Sequence, residues 1–483
     1  MLLWVFRIIR LMTLHSDPPT LLLLPPSRSR RVLTETRALW HLAWPILIGQ
    51  LATIGMSVTD VAMAGHASAQ DLAGVSLGVS IWNITILTLM GLLMAVNPIV
   101  AHHVGAGELE QVPHVVRQGL WKALAVGLLA VLLANLAAQV FDTMALEPRV
   151  RQVAKDFVHI ASIGLPAFTC YRVLYGYSTS INQTKPMMVI ALLALLLNGL
   201  VNWLLVFGNW GFPTLGGVGC AWSTMLCVWF NLLALLAWMR WSAAYQGTWP
   251  FGLFEGPQWP MLRSLLKLGV PIGVTYFAET SAFGLIALLI AKFGSAQVAA
   301  HAIALNFTSL VFMVPLSLGL ALLTRVGQSL GGGDPQAARF RAWVGVGLTL
   351  VFALVAATAM ALLRTPIAKA YTSDVQVATL AAQLLVFAAL FQLSDCTQVV
   401  ISCAIRAYKV TRAPMLLHLG AFWGVSLPLG CLLGLAPQWL PFAPAQAMAA
   451  QGFWIALIVG LSVAAVGLLL MLRSVARRHL RPL

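Results

Sequence analysis

Three carboxylates pose the chemical question. The 483-residue chain carries only fourteen acidic residues. Eleven of them (Asp17, Glu35, Asp71, Glu108, Glu110, Asp142, Glu147, Asp156, Glu255, Asp334 and Asp374) fall in or beside stretches that read as loops. Asp60, Glu279 and Asp395 instead stand inside long apolar runs. A charged side chain at the centre of a membrane-spanning helix costs roughly 2.5–3.5 kcal/mol on insertion scales, so three of them ask for a use. A carboxyl holds a proton or a cation but not both, which suits these residues to cation or proton coupling or to binding a cationic substrate. Asn198 and Asn202 lie four residues apart, on one helical face. There they supply amide oxygens to a cation or hold Asp60, with plain interhelical hydrogen bonding as the alternative. Gln392, Asp395 and Gln398 share a face by i, i+3 spacing and read as a polar patch on an inward surface. Arg172 reads as a snorkelling or paired cation.

Other chemistries find no support. Gly74-Val75-Ser76-Leu77-Gly78 matches a nucleophile-elbow pattern, but it lies in an apolar run with no preceding strand and reads as small-residue helix packing. His102-His103 lacks the spacing of a metalloprotease pair, and no glycine-rich phosphate loop follows a strand. The six cysteines form no CxxC pair and are expected to pack. No catalytic pair, metal cluster or bound cofactor is expected, and energy must come from an ion gradient.

The elements that hold the acids follow from composition. Sixty per cent of the residues are hydrophobic and 9% charged, against about 25% charged in soluble domains. Apolar runs between charged or Pro/Gly breaks give twelve spans. They lie near residues 40–64, 72–100, 119–141, 156–180, 187–207, 218–240, 266–291, 298–324, 342–363, 377–404, 415–435 and 451–472. The net charge of +15 then reflects cationic loops on one side of a bilayer rather than nucleic-acid binding. With the N-terminus cytoplasmic, twenty-two of the 29 Lys and Arg residues fall inside, Lys122, Arg240, Arg325, Arg341 and Arg406 among them. Six fall outside, and Arg172 is assigned to neither side.

The two halves of the chain also echo each other. Pro45 and Pro271, Ser68-Ala69-Gln70 and Ser295-Ala296-Gln297, and Pro186-Met187 and Pro414-Met415 recur at a nearly constant offset. Each half holds six spans, so the repeats are parallel. The expected fold is an all-α membrane bundle of twelve transmembrane helices in two parallel six-helix repeats. Its parts are a cytoplasmic extension over 1–37, an N-lobe over 38–240, a cytoplasmic linker over 241–265, a C-lobe over 266–473 and a basic cytoplasmic tail over 474–483. No acid has an acidic counterpart at the repeat offset, so the site chemistry arose on each lobe separately.

Several stretches resemble the multidrug and toxic compound extrusion (MATE) family, NorM branch. They are Leu42-Ala-Trp-Pro45, Gly55-Met-Ser-Val-Thr-Asp60-Val-Ala-Met-Ala-Gly65, Gln183-Thr-Lys-Pro186, Leu197-Asn198 to Asn202-Trp203 and Gly216-Gly-Val-Gly-Cys220. The second half adds Val298-Ala-Ala-His301, Ala304-Leu-Asn306-Phe307, Arg325-Val-Gly327, Asp395 to Gln398-Val-Val400 and Arg406-Ala-Tyr-Lys409. The resemblance implies a monomeric exporter of small organic, often cationic or amphipathic, compounds in exchange for Na⁺ or H⁺, seated among the lipids of a bacterial inner membrane with both termini cytoplasmic. By position, Glu279 and Asp395 match the family's C-lobe cation-site acids, where Na⁺ would bind. Asp60 matches the N-lobe acid, and Asn198, Asn202 and Thr224 its polar neighbours. Gln392, Gln398 and Asn306 join them as expected cavity residues. Phe391 departs from the pattern, standing where NorM-like members tend to carry a tyrosine. A flippase for lipid-linked precursors, from the same broad superfamily, is the rival reading; the cavity acids argue against its anionic headgroup.

Overall fold

Hydrocarbon offers no partner for backbone N–H and C=O groups, so long apolar runs must close their hydrogen bonds within helices. The computed structural model describes residues 28–436, 444 and 446–480. Arg7, Arg10, the first 27 residues of the expected extension and Arg481 in the tail lie outside that range. The described spans are α1 (Arg28–Ala67), α2 (Ala69–Ala106), α3 (Gln111–Thr143), α4 (Pro148–Ser162 with Leu165–Ser180), α5 (Lys185–Phe207), α6 (Gly217–Trp241), α7 (Trp259–Phe293), α8 (Ser295–Gly331), α9 (Pro335–Leu362), α10 (Val375–Ala407), α11 (Arg412–Leu435) and α12 (Ala449–Arg478). Eleven are long and apolar enough to cross a bilayer alone, and the bent pair in α4 makes a twelfth. Each expected span falls on one of these helices.

Two acids assigned to loops cap helices. Asp334 accepts the backbone N–H of Ala337 at 2.8 Å, ahead of Pro335 at the start of α9. Asp374 accepts those of Gln376 and Val377 at the start of α10. Such caps satisfy orphan donors at helix N-termini. Three spans are irregular. The helix in α2 is interrupted at Met94–Ala95, α4 bends by 48° between its two segments, and Gly420–Ser426 in α11 is π-helical just before Pro428. Proline lacks a backbone donor and crowds the carbonyl four residues back, so a widened turn beside it is expected.

Packing repeats with the sequence. In the first half α1 packs on α5, α2 on α4, α3 on α4, α5 on α6 and α6 on α4. Six helices later the same pairs recur: α7 on α11, α8 on α10, α9 on α10, α11 on α12 and α12 on α10. The halves meet through α2 against α7 and, reciprocally, α8 against α1. Contacts between them gather at the end of the bundle where α1 begins and α8 ends. A Cβ on Gly105 would run into the Gln328 carbonyl oxygen, and one on Gly331 into that of His102. The ends of α2 and α8 thus touch backbone to backbone, which only glycine permits. Close by, the Glu35 carboxylate accepts from Arg325 Nε and Nη2 at 2.5 and 2.6 Å, with Arg341 Nε at 3.5 Å. His102 Nε2 lies 2.8 Å from the Ala407 carbonyl, and Gln328 Nε2 donates to that of Ser180 at 2.8 Å.

Two cations assigned to the cytoplasmic side prove to be buried helix residues. Lys122 sits in α3 and donates to the Leu92 carbonyl at 2.8 Å, next to the α2 interruption, and to Leu265 of α7 at 3.4 Å. Arg406 sits in the last turn of α10, 6% exposed. The stretch between α6 and α7 folds onto the first half. Tyr177 Oη bonds Thr248 Oγ1 at 2.6 Å, and Glu255 accepts from His114 at 2.6 Å and Arg117 at 2.8 Å. Burial alone would raise the Glu255 carboxyl, but those two partners hold it below the ordinary glutamate range.

Candidate functional site

The structure sorts the three acids into two places. Asp60, on α1, is 5% exposed and fully engaged. Asn202 Nδ2 donates to its Oδ1 at 2.6 Å, Asn198 Nδ2 to the same oxygen at 2.9 Å, and Thr224 Oγ1 to Oδ2 at 2.9 Å. The four-residue spacing of the asparagines on α5 aims both amides at one oxygen, while α6 supplies the hydroxyl. In this structure both amide nitrogens are turned to the acid, while Asn202 Oδ1 is buried without a partner.

Glu279 and Asp395 lie in the second half, on the wall of a cavity of about 410 Å³. Helix α7 contributes Thr275, Tyr276, Glu279, Thr280 and Phe283, and α10 contributes Phe391, Asp395, Gln398, Ser402 and Arg406. Both sets recur every three or four residues, so each helix turns one face to the cavity. Helix α8 adds Leu305, Phe312 and Met313 with the hydroxyls of Thr308 and Ser309, α11 adds His418, and Asn83, Ile84 and Leu87 of α2 reach in from the first half. The volume falls within the range of small-molecule sites, roughly 300–1,000 Å³. Asp395 is 4% exposed and accepts from Gln398 Nε2 at 3.2 Å. Among the described residues no donor lies in hydrogen-bonding position to Glu279 and no cation pairs with either acid within 4.0 Å. This contrasts with Asp60, both of whose oxygens accept hydrogen bonds.

Two expected cavity residues are elsewhere. Gln392 is buried but stands off the lining face, its Nε2 donating to Cys396 Sγ at 3.1 Å. Asn306, exposed on α8, accepts from Tyr371 Oη at 3.0 Å, in the short helix Arg364–Tyr371. Phe391, at the position where a tyrosine was expected, lines the cavity and packs edge-on against Phe283 and Trp454, with centroids 6.1 and 5.6 Å away. Arg172 is stacked over Tyr175 at 4.7 Å rather than joined to an acid.

Sequence reasoning missed the cavity's cation. The Arg406 guanidinium lies over the Tyr276 ring at 5.4 Å, and Nη1 donates to the Sδ of Met94, a residue of the first half, at 3.3 Å. Position near a helix end disguised it as a loop residue. His418, bonded through Nε2 to Ser402 Oγ at 3.0 Å, was likewise unflagged, since a lone histidine in an apolar run carries no pattern.

A twelve-span bundle of two six-helix repeats, with acids on a cavity wall, defines a membrane transporter rather than an enzyme. The MatE family model matches residues 45–204 and 271–432, one stretch in each half. The chain belongs to the MATE family, NorM-like branch. It is 41% identical over 450 residues to the probable multidrug resistance protein NorM of Chromobacterium violaceum, covering 93% of this chain and 96% of the relative. It is 42% identical over 461 residues to the multidrug resistance protein PmpM of Pseudomonas aeruginosa, covering 95% of each. In fold it is similar to the eukaryotic MATE transporter AtDTX14, with a TM-score of 0.83, 20% identity and coverage of 93% of this chain and 98% of that one.

Proposed function

We propose that this protein exports small organic, often cationic, drugs and toxic compounds across a bacterial inner membrane in exchange for Na⁺ or H⁺. The observation that carries the reading is the cavity wall formed by Glu279 and Asp395, two carboxylates without a paired cation amid Phe283, Phe391 and other apolar side chains. Aromatic and apolar surface binds an amphipathic body with little selectivity, while a carboxylate rewards a positive charge. The coupling cation and the organic cation then compete for the same acids. The multidrug resistance names of the relatives support the same conclusion.

Alternating access follows from rocking the N-lobe, 38–240, against the C-lobe, 266–473, about the linker 241–265. With both termini cytoplasmic, as the charge asymmetry requires, the contacts from Glu35, Gly105 and Gly331 lie on the cytoplasmic side. The conformation described is then closed inside, and the substrate leaves outward. The transporter works as a monomer among lipids, without nucleic acid or a resident cofactor.

The test is efflux of a cationic dye from vesicles under imposed Na⁺ or H⁺ gradients, with Glu279→Gln and Asp395→Asn alongside. Wild-type efflux should follow one of the gradients, and each variant should lose about tenfold or more of that drive, a loss of at least 1.4 kcal/mol in coupling. Variants that transport normally with unchanged ion dependence would sink the reading.

A further inference from the structure

Arg406 shares one cavity with Glu279 and Asp395, yet none of its nitrogens is within 4.0 Å of either carboxylate. Its geometry keeps it back. The Tyr276 ring supports one face of the guanidinium at 5.4 Å, and Met94 Sδ takes one of its five N–H donors at 3.3 Å. A thioether is a weak acceptor and a ring a soft one, so the charge of Arg406 is not spent on a local partner. Its charge faces the same cavity as both acids. Arginine stays protonated at all accessible pH values. The cavity therefore holds two acids and one permanent cation, leaving a single negative charge when both acids are ionised.

We propose that Arg406 is a positioning residue that sets the charge stoichiometry of the C-lobe cavity, limiting it to one monovalent cation per cycle. The inference rests on the coupling role proposed above for Glu279 and Asp395. A second monovalent cation would leave excess positive charge beside the buried Asp395 and Arg406, where uncompensated charge is costly. Removing the guanidinium admits a second cation. Removing one acid instead leaves the other balanced by Arg406, with no charge left for a coupling ion.

The experiment is dye–cation exchange in proteoliposomes, with the reversal potential of dye flux reporting cations moved per dye. Asp60 is untouched throughout, so any contribution from it cancels in the comparison. Arg406→Gln should move one more cation per dye than wild type, while Arg406→Lys should keep the wild-type value. Glu279→Gln and Asp395→Asn should each abolish cation-driven exchange, and Glu279→Gln combined with Arg406→Gln should restore it at the wild-type stoichiometry. An unchanged stoichiometry in Arg406→Gln overturns the inference, as does a folded, dye-binding double variant that stays uncoupled. Should variants of Arg406 fail to fold, the two acid variants decide, because residual cation-driven exchange in either contradicts the charge balance. If wild-type exchange follows neither Na⁺ nor H⁺, the coupling role itself has failed and the stoichiometry claim falls with it. A coupled wild type with an indifferent Arg406 refutes the stoichiometry claim alone.

Discussion

Asp60 and Glu279 are both carboxylates within apolar helices, and their surroundings set them to different tasks. Asp60 has three side-chain donors on its two oxygens, which holds it in one place. Hydrogen bonds to a charged acceptor contribute roughly 1.5–3 kcal/mol each. Replacing Asn202, the donor at 2.6 Å, with Leu should therefore lower the thermal unfolding temperature of the detergent-purified protein while the second-half cavity still binds dye. A variant as stable as wild type would show that the Asp60 cluster does not hold the first half together. The acids were legible in the sequence because a charge within hydrocarbon is too costly to be accidental. Gln392 and Asn306 were not, because polar side chains can bond locally and turn away from a cavity their neighbours face. Arg406 escaped notice because loop and last helical turn look alike in composition, and only the helix end at Ala407 distinguishes them.

At the scale of elements, the positions of the twelve spans were readable from apolar length and from the lysine and arginine asymmetry. Their irregularities were not. The interruption of α2 at Met94–Ala95 has no proline to announce it, and it places the Leu92 carbonyl beside Lys122, a contact made in three dimensions alone. The connector between α6 and α7 is similarly more structured than its Gly, Pro and Trp content suggests, and Glu255 fastens it. Because the folded carboxyl is held below its ordinary value, docking gains stability that is complete above the unfolded value of about 4.3 and is lost as pH falls through the folded one. Amide hydrogen exchange over residues 243–258 should show protection at neutral pH that fades below about pH 4, and Glu255→Gln should reduce it at neutral pH. Protection indifferent to both would contradict the assignment.

For the whole molecule, the repeat offset anticipated the parallel halves, and the recurrence of helix pairs six spans apart bears it out. Which end of the bundle is shut could not be read from one sequence, since closure depends on pairs such as Glu35 with Arg325 that lie 290 residues apart. Removing one partner of a buried ion pair costs roughly 3–5 kcal/mol, and Glu35 is 8% exposed at its side chain. Glu35→Gln should shift the lobes toward opening at that end, visible as longer distances between spin labels on α1 and α8. Exchanging the two charges, Glu35→Arg with Arg325→Glu, should shorten them again. Distances unmoved by Glu35→Gln would remove the pair from the closure.

Central to the mechanism is competition between the coupling ion and the organic cation for the Glu279–Asp395 cavity. Binding of a fluorescent lipophilic cation to the purified protein, titrated against Na⁺ and against pH, measures it. The account predicts that the dye's apparent affinity falls as Na⁺ or H⁺ rises, and that Glu279→Gln or Asp395→Asn removes the dependence. Dye affinity that ignores both ions in the wild-type protein would contradict it.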